Sequence, residues 1–150
     1  MTDQVTDFMK DWDAKQNQRL RVALANRKLL HTILTGLGVI RVTCTYSGYG
    51  DSGQIDDLDI FGGTDGFKRL DEVLWKKVSS LTDTRPGVLA VDSVHNALQE
   101  MFWDLLMSTH PGFENNEGGQ GEFEWLLPED ELKLDHNENV IETISSSDSF

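Results

Sequence analysis

Val39-Ile-Arg-Val-Thr-Cys-Thr-Tyr46 decides the fold. Upstream of it, apolar residues recur at helical spacing. Within it the period becomes two: Ile40, Val42, Cys44 and Tyr46 alternate with Arg41, Thr43 and Thr45. Alternation with β-branched residues on both faces predicts a half-buried strand. Ser47-Gly-Tyr-Gly-Asp-Ser-Gly-Gln54 follows as a glycine-studded loop, and Ile55, Leu58, Ile60 and Phe61 predict a second strand. The short connection makes the pair an antiparallel hairpin.

On the N-terminal side, Val5, Phe8, Met9 and Trp12 share helical spacing, as do Leu20, Ala23, Leu24, Leu30, Ile33, Leu34 and Leu37. The polar stretch between them leaves one long helix or two, ending near Gly36 or Gly38. The first part, residues 1–18, is expected as an arm that either packs at home or protrudes toward a partner. On the C-terminal side, Gly62-Gly-Thr-Asp-Gly66 is a break. Phe67, Leu70, Val73, Leu74 and Val78 fit a helix, with a strand around Val73–Val78 as the alternative. Val91, Val94, Leu98, Met101, Phe102, Leu105 and Leu106 make an apolar helical stripe from about Asp92 to Met107. A second glycine loop, Glu114-Asn-Asn-Glu-Gly-Gly-Gln-Gly-Glu122, precedes two alternating segments joined by Pro128-Glu-Asp130, a second hairpin. Val140, Ile141 and Ile144 could add a short strand, and the polar tail, 142–150, is expected to fray. The fold class is α+β: helices packed on an antiparallel sheet of about four strands, made from two hairpins in a single domain, 1–150.

The 150 residues carry 13 Lys and Arg against 26 Asp and Glu, a net charge of −13. The excess is uneven, because residues 111–150 hold eleven acids against Lys133 alone. Direct nucleic-acid binding needs clustered bases and is excluded as the expectation. A protein with a basic surface is the better electrostatic match. The single cysteine, Cys44, permits no internal disulfide and sits in an apolar strand, which suits core packing and a reducing, cytoplasmic setting. No apolar run approaches membrane-spanning length, so no membrane association is expected.

The motifs exclude more chemistry than they support. Gly50-Asp-Ser-Gly53 matches a serine-protease nucleophile loop, but no histidine lies in the right setting upstream, and His31 sits on a helix stripe. Asp57-x-Asp59 with Gly62 would put Phe61 and Lys68 at calcium-ligand positions, where neither can serve. One cysteine and four scattered histidines show no zinc spacing, and His110 and His136 are expected at the surface or in loops. Gly48-x-Gly50-x-x-Gly53 joins two strands and opens no helix, so the basis for a phosphate cradle is missing. No catalytic residue, resident metal or cofactor is assigned, and a non-enzymatic role is favoured. What remains is an amide-rich acidic edge of Asp51, Gln54, Glu114, Asn115, Asn116, Glu117, Gln120 and Glu122, which could bind a ligand or partner if the two loops converge.

Gly48–Ile55, the pattern Phe102-Trp-Asp-Leu-Leu106 and Gly112–Phe123 together resemble an uncharacterised bacterial domain family of unknown function, over roughly residues 38–137. The resemblance implies a small bacterial or phage-borne accessory protein and supplies no activity. The expected function is an acidic interaction protein that binds or inhibits a basic protein surface, as in a defence system. The alternatives are a small-ligand or metal-binding module built on the two loops and, third, a hydrolase.

Overall fold

The computed structural model describes residues 2–49, 52–64, 67–83, 88–110, 118–138 and 144–150. The alternating segment forms β1 (Val39–Tyr49), with Val42, Cys44 and Tyr46 buried on one face. It pairs antiparallel with β2 (Ser52–Gly62) and, on its other side, with β6 (Gly119–Leu126). The first glycine loop is therefore mostly strand: only positions 50 and 51 lie between β1 and β2. Ile55 and Leu58 are out of step for a regular strand, yet both pack against the core. A bulge reconciles them. Thr45 faces Asp57 while Tyr46 faces Ile55, so Asp56 is the extra residue and the apolar phase is restored.

Long helix α1 (Thr2–Gly36) is continuous, which settles the choice between one helix and two. Gly38 in the left-handed region ends it, with Leu37 N–H donating to Ile33 O at 3.1 Å. Helix α2 (Val94–Thr109) starts later than the apolar stripe suggests, because the Ser93 hydroxyl caps it by accepting from Asn96 N–H at 3.1 Å. Val91 belongs instead to an exposed strand position.

The segment expected as a helix over Phe67–Val78 is split. Lys68–Arg69 form a short strand (β3), Asp71–Trp75 a 3-10 turn, and Lys77–Thr82 a strand (β4) that pairs with β5 (Leu89–Ser93). The apolar positions of this stretch are buried by local geometry. Leu70, Val73 and Leu74 are buried by the single turn, and left-handed Ser80 lies in a register shift that lets Val78 and Leu81 both reach the core.

At the C-terminus, β7 (Glu131–Glu138) pairs with β6, and the tail forms β8 (Ile144–Ser149) along β7. Ile144–Ser149 thus do not fray: Phe150 packs on the core, and its N–H donates to Leu132 O at 2.9 Å. Val140 and Ile141 lie outside the described residues. The main sheet runs β3-β2-β1-β6-β7-β8, all antiparallel, so two edge strands extend the expected four. The α+β class holds, with the helices on one face of the sheet. Phe102 of α2 meets Phe123 of β6 with ring centroids 4.9 Å apart, at the centre of that layer.

At Gly121 the backbone passes close to an aromatic ring. A Cβ on Gly121 would overlap both the Tyr46 hydroxyl and the Asp135 carbonyl oxygen. Gly121→Ala should cost about 1–3 kcal/mol as overpacking. Adding Tyr46→Phe should rescue only part of that, because the Asp135 carbonyl remains. Gly36→Ala, with open space around it, should be near neutral. Thermal melts of the three variants check the order.

Candidate functional site

Register brings the two glycine-rich segments to one end of the sheet. Gly48 of β1 stands between Gly53 of β2 and Gly119 of β6. Asn137, near the end of β7, is level with Gln120. On the outer face, away from the helices, the end row reads Gln54, Ser47, Gln120, Asn137 across four strands. The next row reads Asp57, Thr45, Glu122, Asp135, Ser147. Bulge residue Asp56 joins these, accepting from Gln54 Nε2 at 2.9 Å. Of the residues named from sequence, Gln54, Gln120 and Glu122 are thus brought together, all exposed. Asp51, Glu114, Asn115, Asn116 and Glu117 lie outside the described residues.

Charge is segregated on this face. Arg41 pairs with Glu124 at 3.7 Å, Lys133 with Glu131 at 3.2 Å, and Arg69 with Asp59, all farther from the glycine end. The two end rows contain Asp57, Glu122 and Asp135, with Asp56 beside them, and no Lys or Arg. Hydroxyls hold two of the carboxylates in place: Thr45 Oγ1 donates to Asp57 Oδ2 at 3.4 Å, and Ser147 Oγ donates to Asp135 Oδ1 at 3.0 Å. The face can therefore present fixed acceptors to donors from another molecule. Among the described residues, no group of three or more His, Cys, Asp or Glu could hold a metal ion.

Behind the same end, on the inner face, lies a cluster that sequence reasoning missed. His136 is buried, not at the surface as expected. Its Nδ1 hydrogen-bonds the Tyr46 hydroxyl, its ring stacks on His110 at 4.1 Å, and His110 Nε2 lies 2.8 Å from Asp148 Oδ2. The strand period could have flagged His136, since it continues the buried series Leu132, Leu134. Burial pushes the Tyr46 phenol up, with Asp148 adding to the effect, so the hydroxyl stays protonated. With Tyr46 and His136 both about 1% exposed, the cluster ties β1, β7, β8 and the end of α2 together and leaves little room for a substrate. Cys44 is likewise inert: burial first, then Asp56 and Glu122, push its thiol up.

A model described as a family of unknown function, DUF6878, matches residues 22–150. The chain belongs to that family. No curated protein and no solved structure matches it. In this DUF6878 chain the match takes in both glycine segments, α2 and the whole sheet, and begins within α1.

A second feature lies at the β2 side. Glu100 and Asp104, one turn apart on α2, line a cleft of about 440 Å³ with Gly53, Gln54, Ile55, Gln99 and Trp103. Burial pushes the Asp104 carboxyl up to about 6; Arg19, at 3.6 Å, opposes this and Glu100 reinforces it. Burial also raises Glu100, with help from Asp92 and Asp83. A carboxyl raised in the folded state favours folding when protonated, so its ionisation removes stability as pH rises from about 4 to about 6. Asp104→Asn should therefore stabilise the protein at pH 7, by about 1 kcal/mol, and flatten that fall. Denaturant titrations at a series of pH values measure both.

Proposed function

We propose that this DUF6878 chain is a non-enzymatic interaction protein whose outer sheet face docks a basic protein surface. The observation that carries this is the segregation of charge: Asp57, Glu122 and Asp135, with Asp56 beside them, occupy the two rows at the glycine end, which hold no Lys or Arg, flanked by the carboxamides of Gln54, Gln120 and Asn137. Carboxylates so arranged steer a basic partner at long range and accept hydrogen bonds from Arg and Lys at contact. Proteins that normally receive nucleic acid offer such a surface. A bacterial or phage accessory protein that occupies one would act as an inhibitor, as in a defence system, and would work in the cytoplasm. No helix among the described residues is long and apolar enough to cross a membrane.

A second reading, a small-ligand or metal site between the two glycine segments, is favoured by one observation: Gly48 is flanked by Gly53 and Gly119, so the segments meet.

The test is capture of a partner from host extract by the tagged chain, followed by binding measurements on the purified partner. The partner should be basic at its contact surface. Affinity should fall at least about tenfold as salt rises from about 0.05 to about 0.3 M. The combined variant Asp57→Asn, Glu122→Gln, Asp135→Asn should lose binding, while Asp71→Asn with Glu72→Gln, exposed on the 3-10 turn, should keep it. Salt-insensitive binding, or full binding by the triple variant, would contradict the proposal.

A further inference from the structure

The free edge of β2 has the features of a second binding site. On the side away from β1, the one described strand that β2 meets is β3, through Phe61–Arg69 and Gly62–Lys68. Among the described residues, no strand pairs with that side from Gly53 to Asp59. Natural sheets commonly shield such an edge, because its backbone groups template pairing with another chain. Here the edge opens directly onto the cleft between β2 and α2, with Gly53, Gln54 and Ile55 forming one wall and Gln99, Glu100, Trp103 and Asp104 the other.

The lining sets the chemistry of what enters. Ile55 and the Trp103 indole give an apolar wall for the stem of a long side chain. Gln54 and Gln99 offer amide acceptors, and Glu100 and Asp104 offer carboxylates at the cleft wall. Behind them Asp83 and Asp92 line an adjoining pocket of about 150 Å³ that shares Glu100 and Asp104. Arg19 already pairs with Asp104 from the α1 side, so this carboxylate accepts a guanidinium in the fold as it stands. One cation facing several carboxylates leaves room for a second.

We propose that β2 between Gly53 and Asp59 accepts an extended segment of a partner protein as an added strand, with an arginine or lysine of that segment entering the cleft against Trp103, Glu100 and Asp104. Backbone pairing along the edge supplies affinity, and the cleft selects the cationic side chain. An incoming strand projects alternate side chains to one side, so only one residue type in two is constrained. The site shares β2 with Gln54, Asp56 and Asp57 of the outer face but uses the backbone edge and the cleft, apart from Glu122 and Asp135 on β6 and β7, so it is tested separately from the docking proposed for that face.

The test uses a blocked peptide of alternating Thr and Val with one central arginine, and its twin with citrulline, a neutral isostere, at that position. Binding to the full chain is measured by calorimetry, and backbone amide exchange is followed in the complex. The arginine peptide should bind at least about tenfold more tightly than the citrulline peptide. Glu100→Gln with Asp104→Asn should abolish that preference while keeping a cooperative thermal melt at or above the parent's, which checks that folding is intact. Amides in residues 53–59 should exchange more slowly when the peptide is bound. The outer-face variant Glu122→Gln, Asp135→Asn, on β6 and β7, should bind the peptide as the parent does. Equal binding of the two peptides, no binding of either, or binding without protection of residues 53–59 would each overturn the proposal.

Discussion

The pairing of β1 with β6 is the interaction on which the rest of the structure depends. Each of these strands also carries its hairpin partner, so the ladder from Arg41–Leu126 to Gly48–Gly119 welds two local hairpins into one sheet. A slip of one residue would turn Val42, Cys44 and Tyr46 outward and push Arg41, Thr43 and Thr45 into the core. Each large apolar side chain removed from the core forfeits about 1.5–3 kcal/mol. Register is therefore fixed by the inner face, and the outer face inherits it. That inheritance places Gln54, Ser47, Gln120 and Asn137 in one row.

A sheet covered by helices on one side must divide its residues sharply. Val42, Cys44, Tyr46, Phe123, Trp125, Leu132 and Leu134 face the helices and are buried. Their sequence neighbours face solvent and carry the acidity. The far end of the sheet is neutralised differently: Asp130 receives the Trp125 indole N–H at 3.2 Å and the Arg27 guanidinium at 3.1 Å. Partial burial opposes ionisation of Asp130, but the Trp125, Arg27 and His31 contacts outweigh it and hold the carboxyl below the usual range. Acid at that end is thus used for architecture, whereas acid at the glycine end is left facing outward.

Much of this was legible in the residues. Alternation over 39–46 and the apolar stripe of α2 identified their elements, and the fold class followed. The Phe67–Val78 segment imitates a helical period because a 3-10 turn buries Leu70, Val73 and Leu74 and the strand that follows buries Val78. The glycine segments conceal their structure in a different way. Gly48, Gly53, Gly119 and Gly121 lie within strands, and at Gly121 the reason is the Tyr46 hydroxyl crossing its backbone toward His136. That contact joins residues far apart in the chain, and no local pattern encodes it. Gln54, Gln120 and Glu122 were found by composition alone; the cross-strand register that makes them neighbours became visible only in the fold.

The most direct test of the account is the β1–β6 register at the glycine end, read by cross-linking. Ser47 and Gln120 stand opposite each other on the outer face, within the separation a disulfide requires. The double variant Ser47→Cys, Gln120→Cys should close an intramolecular disulfide under mild oxidation, seen as a loss of two free thiols, with buried Cys44 unreacted. Ser47→Cys with Glu124→Cys, two rows apart on the same face, should stay reduced. Failure of the first pair to close, or equal closure of the second, would contradict the register that brings the two glycine segments together.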